Sequence, residues 1–254
     1  MERAHEKVVE AQFGPRAKAY VESAVHAQGQ DLDALDRLLA VLKPAHALDL
    51  GTGGGHVSYL MARHAGRVVA ADLSRDMLAA VAATARDRGL ANIETALTPA
   101  ERLPFEPQSF DFLATRYSAH HWRDLAAGLG EAHRVLRRGA PAVFIDVYST
   151  NVPLFDTHLQ AVELLRDPSH VRDYSAAEWF AALSRAGFAV RASRSWRVRM
   201  EFAVWTARMR TSKTNVAAIR ALQTVASSET HAHFAIEEDG SFMLDMLMME
   251  TEAD

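Results

Sequence analysis

The chain contains no cysteine, which excludes disulfides, thiolate nucleophiles and cysteine-based zinc or iron–sulfur sites at the outset. Long apolar runs are missing too: nothing approaches the roughly 18 consecutive apolar residues of a membrane helix. A charge imbalance that would attract a polyanion is also absent. Lys and Arg number 28 against 32 Asp and Glu, a formal net charge of −4. Basic clusters at Arg134, Arg137 and Arg138, and at Arg191, Arg194, Arg197 and Arg199, alternate with apolar residues as a solvated face does. The first residues, Met1 to Lys7, are charged and polar, with no apolar segment behind them. The expectation is therefore a cytoplasmic protein without nucleic-acid or membrane partners; a homodimer stays open. What the chain does have is apolar content, 49% over 254 residues, enough to bury the core of one large domain.

Leu32, Leu35, Leu38, Leu39 and Leu42 recur at helical spacing until Pro44 stops the pattern. Five short, almost continuously apolar stretches follow: 47–50, 67–72, 92–97, 109–115 and 142–147. The reading is a strict alternation, β-α-β-α-β-α-β-α-β, with Ser74 as a cap and Gly89 and Gly139 as stops. Strands that apolar are buried on both faces, which predicts a doubly wound, mostly parallel sheet of the α/β class. Beyond residue 150 the rhythm changes. An insertion at 152–174 carries a helix, and Ser175 to Glu178 reads as a capping box. Phe188-Ala189-Val190 with Trp196, Val198 and Met200 suggests a sixth strand, followed by a helical stretch at 203–227. Phe234-Ala235-Ile236, Asp239-Gly240 and Phe242 to Met249 read as a hairpin with a type I′ turn, giving an antiparallel C-terminal strand. His231 and His233 would then share a strand face, with no third ligand at a diagnostic spacing, so no metal site is expected. Met243, Met246, Met248 and Met249 alternate as core or edge packing.

The stretch Asp49-Leu50-Gly51-Thr52-Gly53-Gly54-Gly55-His56 sets four glycines in five positions behind the first strand. Ligands of open α/β sheets bind beyond the carboxyl ends of such strands. A dinucleotide fingerprint wants glycine at its sixth position, where His56 stands, and a phosphate-binding P-loop wants Lys followed by Ser or Thr. Asp72 closes the second strand, where an acid can take both hydroxyls of a ribose.

Asp49 to Gly55 resembles the first motif of the class I S-adenosylmethionine-dependent methyltransferases. Pro99 to Phe105 with Ser109-Phe110-Asp111 is similar to a second family segment. Arg116 to Trp122 and Glu131 to Gly139 match two more. The likeness covers residues 45–147; Phe13-Gly14, Tyr20, Ser23 and His26 extend it towards the methyltransferase type 11 subgroup, itself similar to ubiquinone/menaquinone biosynthesis C-methyltransferases. The resemblance implies a Rossmann-like, seven-stranded domain over 1–254. Residues 1–43 would form a helical lid, 45–150 the cofactor-binding core, and 151–254 the substrate-side insertions and last strands. It implies S-adenosylmethionine as cofactor, S-adenosylhomocysteine as product and a small-molecule acceptor.

The cofactor residues so implied are Tyr20, Asp49, Gly51, Thr52, Gly53, Gly55, Asp72, Leu73, Met77, Ala100, Glu101, Arg116 and Ser118. Ala100 would offer its backbone N–H to adenine, and Pro99 stands where the family has an Asp that accepts from the adenine amino group. Phe13, His26, Tyr117, Trp122, Asp146 and Tyr148 would line the acceptor pocket, with His120 and His121 as candidate bases. A non-catalytic S-adenosylmethionine-binding protein and an NAD(P)-dependent oxidoreductase are the alternatives.

Overall fold

The structure is a computed structural model that describes residues 4–14 and 29–254. Tyr20 and His26 lie outside the described residues. Helices α1 (His5–Phe13) and α2 (Gln30–Leu42) precede the sheet. The alternating half runs β1 (His46–Leu50), α3 (His56–Met61), β2 (Arg67–Asp72), α4 (Arg75–Asp87), β3 (Ile93–Leu97), β4 (Phe112–Arg116), α5 (Leu125–Val135) and β5 (Pro141–Val147). The second half comprises α6 (Pro153–Arg166), α7 (Ala176–Arg185), β6 (Phe188–Met200), α8 (Phe202–Arg208), α9 (Lys213–Val225), α10 (Ser228–Phe234) and β7 (Phe242–Ala253).

Seven strands form one sheet in the order β3-β2-β1-β4-β5-β7-β6, parallel from β3 to β5, with β7 antiparallel to both β5 and β6. The order reverses at β1 and β4, so the chain leaves a crevice beyond their carboxyl ends, where open α/β sheets bind ligands. Successive strand residues point to opposite faces, and both faces are filled. Ala47, Phe112 and Val143 join one buried cluster with Leu35 and Leu39 of α2 and Met61 of α3; their neighbours Leu48, Leu113 and Phe144 join another with Leu129 of α5 and Trp179 of α7. At about 1.5–3 kcal/mol for each large side chain taken fully from water, these two layers dominate the stabilisation of the sheet. Helix starts follow the sequence signals. The Ser74 hydroxyl caps α4, and Ser175 and Glu178 form the reciprocal capping box of α7.

The expected hairpin at 234–249 is not formed. Phe234 ends α10, whose start is capped by Ser227, and Ala235 at φ +46° turns the chain out. The antiparallel partner of β7 is instead β6, thirteen residues long and separated from it by three helices. Asp239 accepts hydrogen bonds from the N–H and hydroxyl of Ser241, a turn that feeds β7 rather than closing a hairpin. His231 and His233 therefore sit on a helix, where His233 stacks on Phe155 with ring centroids 4.3 Å apart. A third cluster, with Leu159 and Val162 of α6, Trp205 of α8, Ile219 of α9 and Phe234 of α10, packs these helices against Leu244 and Met246 of β7.

Candidate active site

The glycine turn begins where β1 ends. Gly51, Gly53 and Gly55 adopt φ of +75°, +50° and +82°, the left-handed region that glycine alone enters without strain; Gly54, between them, does not. Gly51 also passes so close to the end of β4 that a Cβ there would lie 1.9 Å from the Ser118 hydroxyl. Nothing lies within 4 Å of a Cβ built on Gly53, so its backbone faces open space.

Two carboxylates hold the turn. Asp49, 1% exposed, accepts hydrogen bonds at Oδ2 from the hydroxyls of Thr52 and Ser58, both at 2.6 Å. Burial pushes its carboxyl up to about 6 against those hydroxyls, which favour the charged form. Asp72 accepts from the Gly53 N–H at 2.9 Å and from the Ser74 N–H at 2.8 Å, which ties the turn to the end of β2. Burial raises its carboxyl as well.

A cleft with about 1060 Å³ of empty space, mouth included, opens above this turn. Asp49, Gly51, Thr52, Gly53, Asp72, Leu73, Met77, Ala100, Glu101, Arg116 and Ser118 line it. Gly55 does not; a Cβ there would meet the Tyr59 ring at 2.6 Å, so its glycine serves packing below the turn. Glu101 also accepts from the Asp124 N–H at 3.2 Å. His5, Glu6, Val9 and Phe13 of α1 complete the wall, so this helix lies over the cleft. It is pinned there by His5 Nε2, which donates to the His121 carbonyl at 2.9 Å, and by Phe13 edge-on to the His121 ring.

A second cleft, with about 1470 Å³ of empty space, adjoins the first; Phe13, Arg116, Tyr117 and His121 line both. One side of it is apolar, built from Val147, Trp196, Val198, Met200, Leu244 and Met246. The other carries Glu163, Asp167 and Asp173 from α6 and the loop behind it. Tyr117 adopts φ +54°, an outlier for a bulky residue and of the kind that costs about 1–3 kcal/mol. Its N–H donates to the Ile145 carbonyl at 2.9 Å and its hydroxyl to Asp31 at 3.3 Å. Arg116 is buried in an ion pair with Asp31 of α2 and stacks over the Tyr117 ring at 4.4 Å.

The two histidines differ. His120 donates from Nδ1 to Asp146 at 2.6 Å; burial alone would push its imidazole down, but Asp146 outweighs it and lifts the ring to about 9. His121 donates from Nδ1 to the Ser169 carbonyl at 3.1 Å, which leaves Nε2 as its acceptor when neutral. Burial and then the charge of His120 lower it to about 3. A charged imidazole thus stands beside a neutral one, their centroids 4.1 Å apart.

Three residues expected in the acceptor pocket do not line the second cleft. Asp146 lines neither cleft, because both of its oxygens turn to His120 and to the Val147 N–H. Tyr148 packs against the core cluster beneath α7. Trp122 lines only the first cleft; its indole N–H donates to the Ser118 hydroxyl at 3.1 Å. Conversely, Asp31, Asp167 and Asp173 line the second cleft although no motif surrounds them in the sequence.

This geometry agrees with the similarities of the chain to known proteins. A methyltransferase domain family, type 11, matches residues 48–144. The uncharacterized protein YafE of Escherichia coli K12 is 42% identical over 200 residues, covering 79% of this chain and 97% of that one. The uncharacterized methyltransferase YcgJ of Bacillus subtilis is 30% identical over 199 residues, 78% of this chain and 79% of that one. Its crystal structure matches with a TM-score of 0.84 at 27% identity, over 87% of this chain and 97% of the other. The ubiquinone/menaquinone biosynthesis C-methyltransferase UbiE of Sinorhizobium fredii is 31% identical over 135 residues, half of this chain and 52% of the other. The chain belongs to the class I S-adenosylmethionine-dependent methyltransferases, in their type 11 group. An enzyme that transfers methyl groups follows, and a nicotinamide-dependent oxidoreductase does not. Among the described residues no helix is long and apolar enough to cross a membrane, and no metal-binding cluster occurs.

Proposed function

We propose that the first cleft holds S-adenosylmethionine and that the second takes a small-molecule acceptor, with methyl transfer across their shared wall. The observation that carries this reading is the junction itself, where Phe13, Arg116, Tyr117 and His121 border both clefts. The first cleft suits the cofactor. The open backbone at Gly53 admits close approach, and buried Asp49 offers a negative charge to an ammonium. Asp72 keeps lone pairs for the ribose hydroxyls, and the Ala100 backbone lies on the same wall for the adenine. No phosphate needs to be held, in keeping with a turn that carries no Lys of the P-loop kind. The bound cofactor supplies a methyl group already activated for displacement by its sulfonium.

The protein then has to orient the acceptor and exclude water. Helix α1 covers the first cleft, and the Phe13 and His121 rings meet edge-on at the junction. His121, neutral with Nε2 as an acceptor, takes a hydrogen bond from the acceptor group, and its depressed basicity leaves it an orienting group and not a base; His120, held charged by Asp146, stays a donor. Incubation with methyl-labelled S-adenosylmethionine and a panel of small apolar acceptors tests the reading. Labelled product should form in step with S-adenosylhomocysteine. Cofactor binding with no transfer to any member of the panel would contradict it.

A further inference from the structure

We infer that the polar end of the second cleft is a subsite for a hydrogen-bond-donating head group, a hydroxyl or a protonated amine, on an acceptor whose apolar body lies along β6 and β7. This rests on the reading of that cleft as the acceptor site. Asp167 and Asp173 both line it, both are 1% exposed, and the Oδ2 of each has no hydrogen-bond partner. Buried acceptors are rarely left in that condition, and a donor arriving on a ligand removes the cost.

Other bonds hold the Asp167 carboxylate and the Asp173 backbone. Oδ1 of Asp167 accepts from the Ser169 N–H at 2.8 Å and from the Ser169 hydroxyl, so the carboxylate cannot rotate without breaking that turn. The backbone of Asp173 is gripped on both sides by the Gln160 amide, at 3.1 and 2.8 Å. The nearest imidazoles do not neutralise these acids. Nε2 of His121 stands 3.9 Å from Asp167 Oδ2, and Nε2 of His170 stands 4.0 Å from Asp173 Oδ2 while donating to Gln160. Burial holds both rings uncharged, His121 at about 3 and His170 at about 2. Of the other cations that line this cleft, Arg116 is matched by Asp31, Arg166 by Glu163 and His120 by Asp146, and Arg208 has an interaction of its own. Burial, and then the charge of Glu163, push the Asp173 carboxyl well above the ordinary range, which favours its protonated form, so the acceptor for the head group is Asp167, the residue varied below. The same cleft is lined by Val198, Met200, Leu244 and Met246, which can take only an apolar body. Asp167 lies beside His121, so the head group would sit next to the junction of the two clefts.

The test uses three probes of one shape, 2-naphthol, 2-naphthylmethylamine and 2-naphthoate, titrated calorimetrically onto the full chain with and without S-adenosylhomocysteine. The alcohol or the amine should bind at least about tenfold more tightly than the acid, the scale of one charge-assisted hydrogen bond. Whichever of the two leads identifies the head group as hydroxyl or ammonium. Asp167→Asn keeps Oδ1 for Ser169 and replaces Oδ2 with an NH2, so the preference should shift towards 2-naphthoate. Equal or tighter binding of 2-naphthoate to the wild type, an unchanged order in Asp167→Asn, or no binding of any probe overturns the proposal. The wild-type order suffices if the variant does not fold. The S-adenosylhomocysteine titration reads the first cleft separately, so its failure would strike the functional reading and not the head-group selectivity.

Discussion

Asp49 should cost the protein stability in exchange for its charge, and Asp49→Asn exposes that cost. The side chain is 1% exposed, and burial lifts its carboxyl from 3.8 to about 6. A group raised on folding contributes stability that is complete below its unfolded value and is lost as pH climbs through the folded one. The wild type should therefore lose stability between pH 3.8 and about 6 on account of this residue. At about 1.36 kcal/mol per pH unit, the gap corresponds to roughly 3 kcal/mol. The asparagine oxygen can still accept from Thr52 and Ser58, the two hydroxyls that hold Oδ2 at 2.6 Å, so the turn should survive. Urea unfolding of both proteins without cofactor, from pH 4 to pH 8, measures the difference. Asp49→Asn should be more stable at pH 7 by up to about 3 kcal/mol, with the gap closing towards pH 4, and should bind S-adenosylhomocysteine more weakly. A variant less stable than wild type at pH 7, or a gap that ignores pH, refutes the reasoning.

Asp72→Ala should weaken S-adenosylhomocysteine binding by about 1–3 kcal/mol, roughly five- to 150-fold by calorimetry, and unchanged affinity would remove Asp72 from the ribose. His121→Ala should leave that affinity nearly intact while slowing transfer by about tenfold, the scale of one hydrogen bond that orients the acceptor. A large loss of cofactor affinity instead would mean that the ring packs on the cofactor. Gly53→Ala meets no atom within 4 Å and should lower stability by only the roughly 1–2 kcal/mol of a left-handed alanine. Gly51→Ala adds a Cβ 1.9 Å from the Ser118 hydroxyl and should lose clearly more; equal melting temperatures would contradict the close approach of β1 and β4.

The half of the molecule that could be read from sequence is the half whose chemistry is local. Alternating glycines announce a turn because φ at Gly51, Gly53 and Gly55 must be positive, and the apolar runs of β1, β4 and β5 announce burial on both faces. Phe234 to Met249 misled because Asp239-Gly240 imitates a hairpin turn. The true partner of β7 lies three helices away, and no local pattern records pairing at that range. Both strands were legible, at 188–200 and from 242, but their pairing was not, and with it the apolar wall that they build in the second cleft. Asp146 looked like a pocket residue from its place at the end of β5, but His120, 2.6 Å away, claims it. Gly54 lies off the alternation in sequence and is the one glycine of the turn without positive φ.

A crystal structure with S-adenosylhomocysteine bound is the most direct test of the two-cleft account. The account predicts the ribose on Asp72, the amino-acid end over Gly51 to Gly53, and the sulfur at the junction beside Phe13, Tyr117 and His121, facing the second cleft. A cofactor bound elsewhere, or a sulfur turned away from that cleft, would contradict it.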